Sequence, residues 1–95
     1  MWTLITYDVT LDKARDRVAR RLLDDAQRVQ KSVFEAPHLE PNRFLRLRSD
    51  LEGLIDPQTD SLRYYRLCTA CAKRTEHVGT GVGLLLPDPS FKILG

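Results

Sequence analysis

The sequence predicts one α+β domain, and three observations carry that prediction. An apolar run rich in β-branched and aromatic residues, Trp2 to Asp8, reads as a strand. Two stretches with apolar residues every three or four positions follow it, each succeeded by a further strand-like segment. Finally, 95 residues, 42% of them apolar, can build one core but not two.

The first strand ends abruptly at the carboxylate of Asp8. A helix is expected from about Leu11 to Asp25, capped by Thr10 or Asp12. Ala14, Val18 and Leu22 recur every four residues with Leu11 and Leu23 flanking them, while Lys13, Arg17, Arg20 and Arg21 take the opposite side. Arg28 to Ala36 reads as a second strand closed by Pro37, with a place for a bulge where Gln30, Lys31 and Ser32 break the alternation. A second helix begins near Glu40-Pro41, since proline suits the first turn, and runs to Leu51 or Glu52 before Gly53. Phe44, Leu47, Leu51 and Leu54 or Ile55 form its buried stripe. Asp56 to Asp60 is turn chemistry, and Ser61 to Leu67 is a third strand. Glu76 to Gly79 is a short strand candidate. A Gly-rich turn through Gly83, then Pro87-Asp88-Pro89 and the apolar tetrad Phe91 to Leu94, complete the chain. The order β-α-β-α-β-β places both helices on one face of a small sheet through right-handed crossovers. A ferredoxin-like chain would instead need a hairpin between the helices, where these residues show one strand.

No apolar run approaches the ~18 residues of a membrane span, and the start lacks the pattern of a secretory signal, so a cytoplasmic protein with no membrane partner is expected. Cys68 and Cys71 are too close to staple distant parts of the chain, which excludes a disulfide framework. Cys68-Thr69-Ala70-Cys71 has the spacing of zinc knuckles and thioredoxin-like redox sites, but a zinc site needs four ligands and His38 and His77 stand in no partner motif, so the thiols read as small, semi-buried groups in a turn and no zinc is expected. Gly79 to Gly83 has no Lys-Ser or Lys-Thr after it and reads as a hinge, not a phosphate loop.

Net charge is +2, but Lys13 to Arg48 holds ten basic and five acidic residues, a local +5 against −3 elsewhere. Lys13, Arg15, Arg17, Arg20 and Arg21 are therefore candidates for contact with a phosphate backbone, the plainer alternative being a solvated helix face. With three Phe, three Tyr and one Trp, and no Phe-x-Phe pair, duplex contact is favoured over stacking on single strands. Asp8 is the catalytic and metal candidate because a carboxylate at a strand end projects into a crevice, the alternative being a cap or turn acid. Magnesium binds through one or two carboxylates plus water and phosphates, so a lone Asp8 needs the second copy that a two-fold dimer provides. The tetrad containing Phe91, Ile93 and Leu94 is too apolar to lie in water and is expected to pair with an edge of the partner's sheet.

Tyr7-Asp8, Arg28-Val29-Gln30-Lys31-Ser32-Val33-Phe34-Glu35, Asp56-Pro57 before Asp60-Ser61-Leu62-Arg63, and Leu67-Cys68 together resemble the smaller of the two core CRISPR adaptation proteins, a family of endoribonuclease- and endonuclease-like members. The resemblance spans nearly the whole chain. It implies a ferredoxin-like βαββαβ sandwich over residues 1–80, followed at 81–95 by a hinge and a C-terminal strand exchanged in a homodimer. It further implies that the two copies of Asp8 approach the dimer axis and hold one Mg2+. Two roles follow from it. One is a scaffold that binds duplex DNA for the adaptation integrase in spacer acquisition. The other is a magnesium-dependent endonuclease acting on RNA, including single strands, or on DNA.

Overall fold

The structure, a computed structural model, describes residues 2–76 and 78. Its elements are β1 (Trp2–Asp8), α1 (Asp12–Leu22), β2 (Gln27–Gln30), β3 (Val33–Ala36), α2 (Pro41–Glu52), β4 (Ser61–Leu67) and a short α3 (Thr69–Lys73). Through β4 this is the ferredoxin-like order β-α-β-β-α-β. The sheet runs β2-β3-β1-β4 with every neighbouring pair antiparallel. Each helix therefore carries the chain past one intervening strand, and the two crossovers interlock around β1 and β3.

The expected single strand over Arg28 to Ala36 is corrected to a hairpin. Lys31 and Ser32 are its two-residue turn, and a register shift between Arg28 and Gln30 bends the short β2. Of the residues that broke the alternation, Lys31 and Ser32 are the turn, and Gln30 ends β2 beside the register shift, where a bulge was expected.

β1 lies between β3 and β4, with Thr3 to Thr6 opposite Ala36 to Val33 and Trp2 to Asp8 opposite Leu67 to Ser61. Its alternation decides what each face does. Ile5 and Tyr7 enter a core completed by Val9, Phe34 and Ala36 from the sheet side, Val18 and Leu22 from α1, and Phe44, Leu47 and Leu51 from α2. Leu4, Thr6 and Asp8 stand on the other face. Tyr64 packs edge-on against Phe44 at 5.5 Å between centroids. Burial, then the charge of Glu52, pushes its phenol up to about 12.

α2 matches its expected bounds, but α1 is shorter than Leu11 to Asp25. Its N-cap is Leu11, with no side-chain cap from Thr10 or Asp12. Leu11 and Leu23 are 70% and 59% exposed, so only Val18 and Leu22 of the expected stripe are fully buried. The end of α1 is fixed to α2 by ions instead. The buried Asp25 carboxylate takes Arg21 at 2.7 Å and also Arg43, while Arg21 reaches Asp50 at 2.8 Å. After β4 the chain forms α3 with Ala72 buried, where a turn was expected. Of the expected strand Glu76 to Gly79, Glu76 and Val78 lie in no strand. His77, Gly79 to Gly83, Pro87-Asp88-Pro89 and Phe91, Ile93 and Leu94 lie outside the described residues.

Thr3 is fully buried, and its hydroxyl has no hydrogen-bond partner among the described residues. A buried polar atom left unpaired costs about 1–3 kcal/mol, and valine has the same shape without it. Thr3→Val is expected to stabilise the domain by about 1 kcal/mol, seen as a higher urea midpoint at unchanged m-value.

Candidate functional site at the end of the first strand

Tyr7 and Asp8 point to opposite faces of β1, and each face gives its residue a separate task. Tyr7 is buried, yet its hydroxyl donates to the Lys31 carbonyl at 3.3 Å and accepts from Arg28 at 3.4 Å. Its backbone N–H donates to the Ser32 carbonyl at 3.2 Å. These bonds hold the β2–β3 turn beside the end of β1. Asp8 is exposed and makes no side-chain hydrogen bond or ion pair among the described residues. It caps no helix.

The acid that does hold the loops is Asp60. Its carboxylate accepts from the backbone N–H of Thr10 at 2.9 Å and of Asp56 at 2.9 Å, joining the β1–α1 loop to the α2–β4 loop. Those two N–H groups, the Thr10 bond first, hold its pKa below the ordinary carboxylate value. Arg15 braces the same loop from the other side. Its guanidinium donates to the Val9 carbonyl at 3.0 and 3.2 Å and pairs with Asp12 at 2.9 Å. Sequence reading placed Asp60 in turn chemistry but had no signal for its bond to Thr10, which is distant in the chain.

Asp8 thus opens onto a cleft of about 280 Å³ lined with Tyr7, Val9, Arg15, Lys31 and Ser32. Roomier hollows, of about 550 Å³ beside Asp25 and Glu35 and about 450 Å³ beside Tyr64, lie elsewhere. Neither carries the chemistry of the small cleft, because Asp25 is already committed to Arg21 and Arg43. No group of three metal-ligating side chains exists among the described residues. Asp8 alone offers one carboxylate, half of what a two-carboxylate magnesium site uses.

The five basic candidates on α1 divide into two groups. Arg15 and Arg21 spend their charge inside the fold. Lys13, Arg17 and Arg20 are exposed and make no ion pair among the described residues. Spaced four and three apart, they form one row on the helix face. Lys31 is exposed at the hairpin turn.

A ferredoxin-like sheet whose central strand ends in a carboxylate with no partner among the described residues, with a basic row on the adjacent helix, defines a small α+β protein of the ferredoxin-like class. The chain belongs to the CRISPR associated protein Cas2 family, whose model matches residues 1–75. It is 42% identical over 91 residues to the CRISPR-associated endoribonuclease Cas2 3 of Rhodospirillum rubrum, covering 90% of this chain and 95% of that protein. The crystal structure of Streptococcus pyogenes Cas2 at pH 6.5 matches with a TM-score of 0.73 and 38% identity, over 83% of this chain and all of that one. A chain of a partial Cas6-RT-Cas1–Cas2 complex matches with a TM-score of 0.73 and 28% identity, over 94% of this chain and 97% of that one. Among the described residues no helix is long and apolar enough to cross a membrane.

Because the folded pKa of Asp60 is depressed, its contribution to stability is fully present above its ordinary value near 3.8 and is lost as pH falls through the lower, folded value. Asp60→Asn is expected to melt below wild type at pH 7. The gap should close as the pH falls through and below that range, as read by thermal denaturation at a series of pH values.

Proposed function

We propose that this chain acts in CRISPR spacer acquisition as a dimeric scaffold holding duplex DNA for a Cas1-type integrase. The observation that carries the proposal is the row of Lys13, Arg17 and Arg20, exposed and free of ion pairs. It spans about 10 Å of helix axis at 1.5 Å per residue. Charges so placed meet phosphates without reading bases, which suits a protein that must hold duplexes of any sequence. The likeness to a chain solved in a Cas1–Cas2 complex supports the integrase as partner.

The dimer is supported by the sheet face away from α1 and α2. Leu4, directly opposite Tyr65, and Val33, opposite Thr6, give that face partly exposed apolar surface beside Asp8. Covering it with the same face of a second copy would bury that surface at about 25 cal/mol per Å². Two-fold symmetry would then bring two Asp8 carboxylates towards one axis. The exchange of Phe91, Ile93 and Leu94 between subunits remains part of the proposal.

A second reading, a magnesium-dependent endonuclease acting on RNA or DNA, is favoured by the unpartnered Asp8 and by the name of the Rhodospirillum rubrum relative. The donor set fits the ion only in the paired form, where Asp8 from each copy would hold Mg2+. When bound, Mg2+ would supply an activated water and neutralise charge on a phosphodiester. This chain's own part is to fix Asp8 at a strand end and to offer Lys31 in the cleft as a donor that orients a phosphate.

Asp8→Ala separates the two readings. In spacer-acquisition assays with the integrase the variant is expected to retain duplex binding and acquisition, while any magnesium-dependent cleavage falls to background. Loss of acquisition from an intact dimer and an intact integrase complex would overturn the scaffold proposal. Lys13→Ala, Arg17→Ala and Arg20→Ala are each expected to weaken binding equally across duplex sequences. Each should also make the slope of log affinity against log salt shallower by about 0.9. Titrations at several salt concentrations check this, with unchanged slopes removing that face from the interface.

A further inference from the structure

Cys68 and Cys71 were expected to be semi-buried in a turn, and the structure corrects both points. Both thiols are free and exposed, and they sit one turn apart at the start of α3. Cys68 Sγ accepts a hydrogen bond from the backbone N–H of Cys71 at 3.4 Å. An N-cap residue and the third residue of its helix have Cα atoms about 5–6 Å apart, within the range a disulfide spans. The Cys68 sulfur already lies against the backbone of Cys71, so closing the bridge asks little of the chain.

We infer that Cys68 and Cys71 form a thiol–disulfide exchange site whose co-reactants are small disulfides such as glutathione disulfide. The inference does not depend on the proposed role in spacer acquisition. Cys68 is the attacking group. The hydrogen bonds from the backbone and then the thiol of Cys71 hold its thiol below the ordinary value, while donating to Cys68 pushes Cys71 up. Five residues of α3 are too few to act through a helix field, so the pairing itself makes the difference.

In the first step the Cys68 thiolate attacks one sulfur of glutathione disulfide. The bond between the two glutathione sulfurs breaks, a Cys68–glutathione bond forms, and the departing thiolate takes up a proton. In the second, Cys71 loses its proton to water and attacks Cys68 Sγ, expelling the second glutathione, which is protonated in turn. Two cysteine thiols are oxidised to one disulfide, and one glutathione disulfide is reduced to two thiols. A metal reading has less to stand on, since two sulfurs are half of a zinc set and no third ligand joins them among the described residues.

The test equilibrates the full chain in buffers running from reduced to oxidised glutathione, alkylates the remaining thiols and measures intact mass. Wild type is expected to lose both alkylatable thiols together, carry no glutathione at the oxidised end, remain unlinked to other chains, and recover both thiols on reduction. Cys71→Ser should accumulate one glutathione on Cys68. Cys68→Ser should keep a free Cys71 that alkylates more slowly at pH 7 than Cys68 does in Cys71→Ser, where the backbone N–H of residue 71 still reaches the Cys68 sulfur. Serine preserves the cap, so both variants should match the wild-type circular dichroism spectrum. Wild type that keeps both thiols throughout, carries stable glutathione, links between chains, or binds zinc that blocks alkylation would overturn the inference. So would equal alkylation rates in the two single variants.

Discussion

The register of β1 is the constraint on which the rest of the molecule depends. It is bonded along its length to β4 on one side and to β3 on the other. Because side chains alternate, that one register sends Ile5 and Tyr7 into the core and leaves Asp8 on the open face. A slip of one residue would exchange the faces, burying the carboxylate and putting the Tyr7 ring into water. The antiparallel pairing with β4 also sets Asp8 opposite Ser61, next to the Asp60 that ties the loops together. Strand geometry, core packing and the position of the free acid are therefore one decision.

Charge in this protein divides by burial more than by position in the chain. Asp25 is an acid inside the fold, and Arg21 and Arg43 are held there to pair with it. Removing both arginines would leave the Asp25 carboxylate a buried charge without a partner, which costs far more than an exposed pair contributes. Arg15 is likewise taken up by backbone carbonyls and Asp12. A run of basic residues on α1 thus serves two purposes. Part of it locks the helix to its surroundings, and the remainder, Lys13, Arg17 and Arg20, faces outward.

What the sequence made legible follows from how local each feature is. β1, α2 and β4 were readable because their own residues carry the period and the stops: β-branched runs, Pro41 at a helix start, Gly53 at its end. The β2–β3 hairpin was hidden because its turn is Lys31-Ser32, with no glycine or asparagine to mark it, and its strands are four residues each. Resemblance to a family supplied the order that periodicity missed. Leu11 and Leu23 misled because apolar residues at helix ends resemble a stripe whether or not a core lies beneath them. Asp8 was legible as a strand-end acid. That it is free, and that Asp60 does the structural work beside it, depends on a contact between two loops far apart in sequence.

The interlocked order of the strands has a consequence for how the chain reaches this structure. β1 precedes its partners β3 and β4, and one of its edges finds its mate only after α1, the hairpin and α2 have been made. Until then an apolar strand with an open edge is exposed, which is the condition that invites pairing with another chain. Helix formation is local and fast, whereas the β1–β4 ladder spans most of the described sequence and must wait for the loop between them to close. The docking of β4 is the same event that sets Asp60 against Thr10 and Asp8 opposite Ser61. The surroundings of Asp8 are therefore complete only once β4 has joined the sheet.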